Sequence, residues 1–228
     1  MKPQVAAILI FAALLALQPF ARAQSVPMLI DDFSTGPDSR SLTTGIDSSA
    51  YQRGAMLGGD CWIVLYASGG PFEALSSFRA RPSTGTEPSA LILNAGYRGN
   101  ARVDLVYGYN SQLLANTLKP YDRFVLHLDG ISNGLDGFAL SGIGSVVWTP
   151  SGYLFLGCAG VRTRNAPFTI ELPFNLFRGA GGFDDVTQIL FYLQPDTGPA
   201  GFAVTSIEAA PGPTLGALVC NTEHAIPD

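Results

Sequence analysis

The sequence predicts an all-β protein, a single antiparallel β-sandwich domain spanning about residues 29–209. Three observations carry this. No long window repeats apolar residues at the i, i+3, i+4, i+7 spacing of an amphipathic helix. Short runs of alternating or wholly apolar residues recur along the chain instead. Clusters of Gly, Pro, Asn and Asp separate them, with no helical crossover between neighbours, which is the signature of an antiparallel sandwich or barrel.

The first element is an export signal. Lys2 supplies a positive start, residues 5–17 form an unbroken apolar run, and Ala21-Arg22-Ala23 fits the small-x-small cleavage rule. Residues 1–23 therefore read as a cleavable signal peptide, with a mature chain from Gln24 that is secreted or periplasmic. The apolar run is too short for a bilayer, which takes roughly 20 residues. The later run 215–219 is shorter still, so no membrane span is expected in the mature chain. Losing residues 1–23 takes Lys2 and Arg22, leaving 11 basic against 18 acidic side chains and a net charge of about −7. Such a surface repels phosphate backbones, and no Lys/Arg cluster offsets it, so nucleic acid is not an expected partner.

The expected strands are 61–66, 90–95, 102–109, 123–129, 146–149, 153–157, 168–174, 187–194 and 202–209. In 168–174, Phe168, Ile170, Leu172 and Phe174 share one face and Thr169 and Glu171 take the other, the pattern of a half-buried strand. Pro173 lacks a ladder donor, so this strand lies at an edge or ends there. Residues 61–66 are apolar on both faces, which suits a central strand. Thr149-Pro150-Ser151-Gly152 has the proline and glycine of a type I turn. Only 111–118 and 183–186 could hold a helical turn or two. After Ala209, prolines and glycine without alternation predict a domain of residues 24–210 followed by a loose tail, 211–228.

Cys61, Cys158 and Cys220 are an odd set, so at least one thiol is unpaired or intermolecular. No Cys/His cluster has zinc spacing. Gly130-Ile131-Ser132-Asn133-Gly134 matches the G-x-S-x-G nucleophile elbow, but a glycine-rich stretch follows where a helix is required. His127 and Asp129 share a strand face and form either an acid–base pair or part of a polar outer surface. Asp184, Asp185 and Glu171 do not make a flanking carboxylate pair for glycoside hydrolysis. No catalytic residue is assigned, and an enzyme is not expected. The turn at 149–152 makes Trp148 and Tyr153 approximate cross-strand neighbours on one face. They either close the end of the core or form an exposed aromatic platform.

Two stretches carry a family resemblance. PFTIELPFNLFRGAGGFDDVTQILFYL (167–193) with GFAVTSIEA (201–209) resembles the last strands of galactose-binding-like jelly rolls, and LIDDFSTG (29–36) resembles their opening strand. AMLGGDCWIVLYASGG (55–70) resembles the Gly-Gly segment of exported bacterial proteins of the PEP-CTERM-associated kind. The chain departs from that kind in lacking the hydrophobic sorting tail, and in having Asp60-Cys61 where a charged pair is usual. The resemblance implies a jelly-roll sandwich. Such jelly rolls often bind a calcium ion near the junction of first and last strands, and Asp31, Asp32 and Glu208 fall in the matching segments. The expectation is either a structural calcium ion on these carboxylates or no cofactor, with Asp32 starting a strand and Glu208 facing solvent.

Two function classes follow. One is a binding module for polysaccharide or another cell-surface component, with Trp148 and Tyr153 as candidate contacts. The other is a structural or extracellular-matrix protein with no small ligand.

Overall fold

The computed structural model describes residues 26–35, 38–68, 76–81, 89–96, 99–109, 114, 118–132, 138–162, 167–195 and 200–220. Residues 1–23, expected to be an export signal, residues 221–228 and most of the helical candidate 111–118 lie outside the described residues. Those residues form an antiparallel-rich sandwich of two sheets, with helix confined to two short 3₁₀ turns at Leu57–Gly59 and Phe174–Leu176. No described helix is long and apolar enough to cross a membrane.

In chain order the strands are β1 (Met28–Asp31), β2 (Asp38–Leu42), β3 (Gly45–Arg53), β4 (Asp60–Ser68), β5 (Ser76–Arg81), β6 (Ala90–Ala95), β7 (Asn100–Tyr107) and β8 (Arg123–Ser132). They continue as β9 (Phe138–Thr149), β10 (Gly152–Arg162), β11 (Phe168–Pro173), β12 (Arg178–Gly179), β13 (Gln188–Pro195), β14 (Ala200–Ala210) and β15 (Leu218–Val219). Sheet A has the order β15-β11-β8-β14-β6-β5-β2, with β1 also paired to β14; sheet B has the order β12-β10-β9-β13-β7-β4-β3. The pairs are antiparallel except β11 with β15.

Alternation assigns each side chain to a layer. In β13, Ile189, Phe191 and Leu193 are fully buried, while Leu190, Tyr192 and Gln194 point away from the core. In β8, Phe124, Leu126 and Leu128 face inward. The two sheets meet where Phe124 packs edge-on against Phe191, with ring centroids 5.0 Å apart, and Tyr107 approaches Phe191 from the same side of the core.

The expected strands all form, several with longer ends. Residues 61–66 lie in β4, flanked by β7 and β3, as a two-faced apolar run requires. β11 ends at Pro173 and, opposite β8, is paired only through Ile170 and Glu171. Strands β2, β3 and β5 escape the sequence reading because their runs, such as DSRSL, are mostly polar and carry no long apolar face.

The expected loose tail needs correction up to Cys220. Leu218 and Val219 pair in parallel with β11, the Cys220 amide donates to the Glu171 carbonyl, and Cys220 is disulfide-bonded to Cys158 on β10. Glu171 explains why this segment stays down. Its side chain is fully buried, with one oxygen accepting from Arg123 at 2.6 Å and the other from the Thr214 amide. A buried carboxylate without those donors would carry a desolvation cost, so the strap and the sheet need each other. Cys61 is the unpaired thiol, fully buried in the core.

The disulfide joins an edge of sheet B to an edge of sheet A across 62 residues. Closing a loop of that size is worth about 4 kcal/mol in the chain-entropy account. A Cys158→Ser/Cys220→Ser double variant is therefore expected to lose about that much stability. It should melt roughly 10 °C lower by circular dichroism. An unchanged melting temperature would mean that the strap does not hold the sandwich together.

Candidate functional site

The two outer faces differ in chemistry. The outer face of sheet A carries Arg123, His127, Asp129, Thr169, Glu171 and Glu208, and the segment 211–220 lies against Glu171 at its edge. The outer face of sheet B carries rings. Strand registry sets Trp148 opposite both Tyr153 and Gln188, Trp62 opposite Tyr51 and Val106, Tyr192 opposite Asp104 and Gly144, and Tyr66 opposite Arg102. These positions alternate with the buried inward row of each strand, so they all face the same way.

A stripe of rings crosses this face diagonally from β10 to β4. It begins at Tyr153 and Phe155, which are 58% and 42% exposed. It continues to Tyr192, whose ring lies at 10° to Phe155 with centroids 6.3 Å apart. It ends at Tyr66, with the Arg102 guanidinium 4.9 Å from the Tyr192 ring and 5.4 Å from the Tyr66 ring. At ordinary strand spacing and rise, the stripe is roughly 25 Å long.

Two glycines let the central ring lie flat. A Cβ on Gly144 would stand 2.5 Å from the Tyr192 ring and hydroxyl, and one on Gly157 would stand 2.5 Å from the same hydroxyl and 2.8 Å from the tip of Phe155. Any side chain there would push both rings off the sheet. Beside the stripe, Trp62 is fixed by its indole N–H donating to the Ser48 carbonyl at 2.7 Å, and Tyr109 packs on it at 5.0 Å.

The one ion pair in the middle of this face is internally neutral. Arg102 donates two hydrogen bonds to Asp104, at 2.6 and 2.9 Å, and the Tyr66 hydroxyl also bonds to that carboxylate. Burial pushes the Asp104 carboxyl up and Arg102 opposes the shift. Burial raises the Tyr192 and Tyr66 phenols, keeping both protonated as donors. The face therefore offers flat apolar rings, neutral donors and a balanced guanidinium–carboxylate pair.

Trp148 and Tyr153 do lie opposite each other across the 149–152 turn, at the β10 end of the stripe. Both point outward, between the buried Val147, Thr149 and Leu154, so neither closes the core. Their hairpin was legible in the turn residues. Phe155, Tyr192, Arg102 and Tyr66 lie outside the sequence reading, although Phe155, Tyr192 and Tyr66 each hold an outward aromatic position in an otherwise largely apolar strand.

Asp31, Asp32 and Glu208 are not brought to one point. In the β1–β14 register, Asp31 falls opposite the core residue Ile207, while Glu208 falls opposite the exposed Leu29. Asp31 and Glu208 thus face opposite sides of sheet A. Asp31 points into the core, where it accepts from the Tyr107 hydroxyl at 2.9 Å and the Phe33 amide at 2.7 Å. Asp32 accepts from the Ser34 amide, and Glu208 lies 3.6 Å from His127. These carboxylates do not fit a shared calcium ion, and no three metal-ligating side chains gather elsewhere among the described residues.

His127 Nε2 lies near the Glu208 carboxylate and Asp129 is exposed on the same face, so the pair belongs to a polar surface. Gly130, Ile131 and Ser132 of the elbow-like string are part of β8; Asn133 and Gly134 lie outside the described residues. Asp184 and Asp185 sit in an exposed turn.

No protein-family model matches the chain, and no curated protein matches it in sequence. Solved structures share its general architecture. The family 11 carbohydrate-binding module from Clostridium thermocellum, in complex with a β-1,3-1,4-mixed-linked tetrasaccharide, is 13% identical with a TM-score of 0.40, over 86% of this chain and 99% of that one. CBM27-1 from Caldicellulosiruptor saccharolyticus, in complex with mannohexaose, is 12% identical with a TM-score of 0.37, over 61% of this chain and 84% of that one. The enzymatically active domain of bacteriophage CBA120 tailspike protein 4 is 8% identical with a TM-score of 0.41, over 80% of this chain and 21% of that one. Likeness at this level does not carry a ligand to this chain.

Two measurements check the placements. Trp148→Ala is expected to cost about 1–2 kcal/mol in urea unfolding, well below the 3–5 kcal/mol of a core aromatic such as Phe191→Ala. Equal costs would put Trp148 in the core. Burial raises the Asp31 carboxyl to about 6. Between the ordinary carboxylate value of about 3.9 and that value, the folded chain holds a proton that the unfolded chain has lost. Stability should therefore rise as pH falls through this window, by up to about 3 kcal/mol. The gain should vanish in Asp31→Asn. The check is the difference in melting temperature between wild type and variant at pH 7.5 and pH 5.

Proposed function

We propose that this protein is an exported, non-catalytic glycan-binding module and that the outer face of sheet B is its binding surface. The single observation behind this is the solvent-facing stripe Tyr153–Phe155–Tyr192–Tyr66, with Phe155 and Tyr192 nearly parallel across glycines that leave room for them. Pyranose rings present flat C–H faces that pack on aromatic rings, while their hydroxyls seek polar neighbours, and this surface supplies both. An open stripe suits a chain of sugars better than a single small molecule, for which an enclosing pocket is usual. Export rests on the Lys2, 5–17 and Ala21-Arg22-Ala23 series. The Cys158–Cys220 disulfide agrees with an oxidising compartment.

The ligand is neutral on this reading. Arg102 in the middle of the face is balanced by Asp104, and the acidic mature chain as a whole would repel a polyanion. Retention on neutral polysaccharides in affinity electrophoresis should fall about tenfold, or about 1.4 kcal/mol, in Phe155→Ala and in Tyr192→Ala, with both variants still folded. It should also change little with added salt, since the contact rings are uncharged and Arg102 is paired with Asp104. Wild-type protein that migrates past every neutral polysaccharide unretarded would overturn the proposal.

A further inference from the structure

Beyond Tyr66 and Arg102, the stripe runs into a hollow of about 450 Å³ at the ends of β3, β4 and β7. Its chemistry changes there. Thr44 and Ser68 bring hydroxyls, Asn100 and Gln194 bring amides, and Ile46, 66% exposed, supplies one apolar wall. The volume falls within the roughly 300–1,000 Å³ of small-ligand sites. Resting on the glycan reading of this face, we propose that the hollow is a hydrogen-bonding subsite in line with the rings. It takes one further neutral pyranose unit of the same chain and sets the choice among neutral glycans.

The division of labour follows from what each part can read. A ring packs on the face of a sugar and is indifferent to most hydroxyl orientations. Amides and hydroxyls donate and accept in fixed directions, so a sugar whose hydroxyls match those directions gains hydrogen bonds that another configuration does not. Arg102 belongs to both parts, stacked on Tyr192 and Tyr66 on one side and lining the hollow on the other. A chain lying on Phe155 and Tyr192 is thereby led into the hollow, and affinity should depend on chain length.

The test is isothermal titration with β-1,4-linked gluco-, manno- and xylo-oligosaccharides from dimer to hexamer. Wild type is expected to gain affinity up to the longest oligosaccharide of the preferred sugar. An Asn100→Ala/Gln194→Ala variant should match wild type on short oligosaccharides and lose about tenfold on long ones. It should also narrow the preference among the three sugars. Ser68→Leu, which fills the hollow from an exposed position, should do the same without removing an amide. Phe155→Ala should lose affinity at every length. If both hollow variants track wild type at all lengths while Phe155→Ala fails, the subsite is overturned and the ring platform stands. If wild type binds none of the oligosaccharides or neutral polysaccharides, the platform reading falls and the subsite falls with it.

Discussion

Phe191 of β13 stands between Tyr107 of β7 and Phe124 of β8, and the sandwich is organised around it. The Phe124–Phe191 contact joins the middle strands of the two sheets, and Phe174, Phe177 and Phe183 pack around Phe124 to seal that end of the core. Edge-to-face packing of rings at this spacing adds specificity to what is otherwise undirected burial. Once Phe191 is inside, the two-residue period of a strand forces Tyr192 outside. The core contact and the exposed stripe are thus consequences of one register.

That register leaves sheet B with apolar side chains on both faces and a partner for only one. Sheet A covers the inner face. The outer face keeps Phe155 and Tyr153 in solvent and Tyr192 half-buried, with Val64 and Val106 buried beneath neighbouring side chains. Exposed rings in a contiguous row are the informative exception on a protein surface, where isolated apolar residues are ordinary. Gly144 and Gly157 show that the arrangement is accommodated by the backbone beneath it. On sheet A the chain follows a different course. Its terminal strap is held by a buried glutamate and a disulfide, and Arg123, His127, Asp129, Thr169 and Glu171 give the outward side of β8 and β11 a charged and polar character.

Buried polar groups in the core follow the same economy of position. Asp31, Tyr107 and Cys61 cluster where β1 passes the inner face of sheet B. Burial pushes the Cys61 thiol and the Tyr107 phenol well up, so the thiol stays protonated and behaves as a small core residue. The carboxylate of Asp31 is tolerated because a hydroxyl and an amide both donate to it.

Local pattern by itself determined much of this protein: the all-β class, the strands around Phe124, Ile170 and Phe191, the turn at Pro150, and the presence of an unpaired cysteine. Each of these is a property of neighbouring residues, read from period, turn chemistry or parity. Tertiary structure alone decided which face of a two-faced strand is core. In β4 both alternating sets are largely apolar or aromatic, and β13 sets Leu190 and Tyr192 between its core residues, so a period of two cannot say which set meets the other sheet. It also decided that Asp31 turns inward while Glu208 turns outward, because the register between β1 and β14 is set by strands far apart in sequence. The polar strands β2, β3 and β5 at the far ends of the two sheets form by pairing with neighbours, and the strap at 211–220 is fixed by Glu171 and Cys158, dozens of residues away. Contacts of that range have no local signature, and they are what align Phe155, Tyr192 and Tyr66 into one surface.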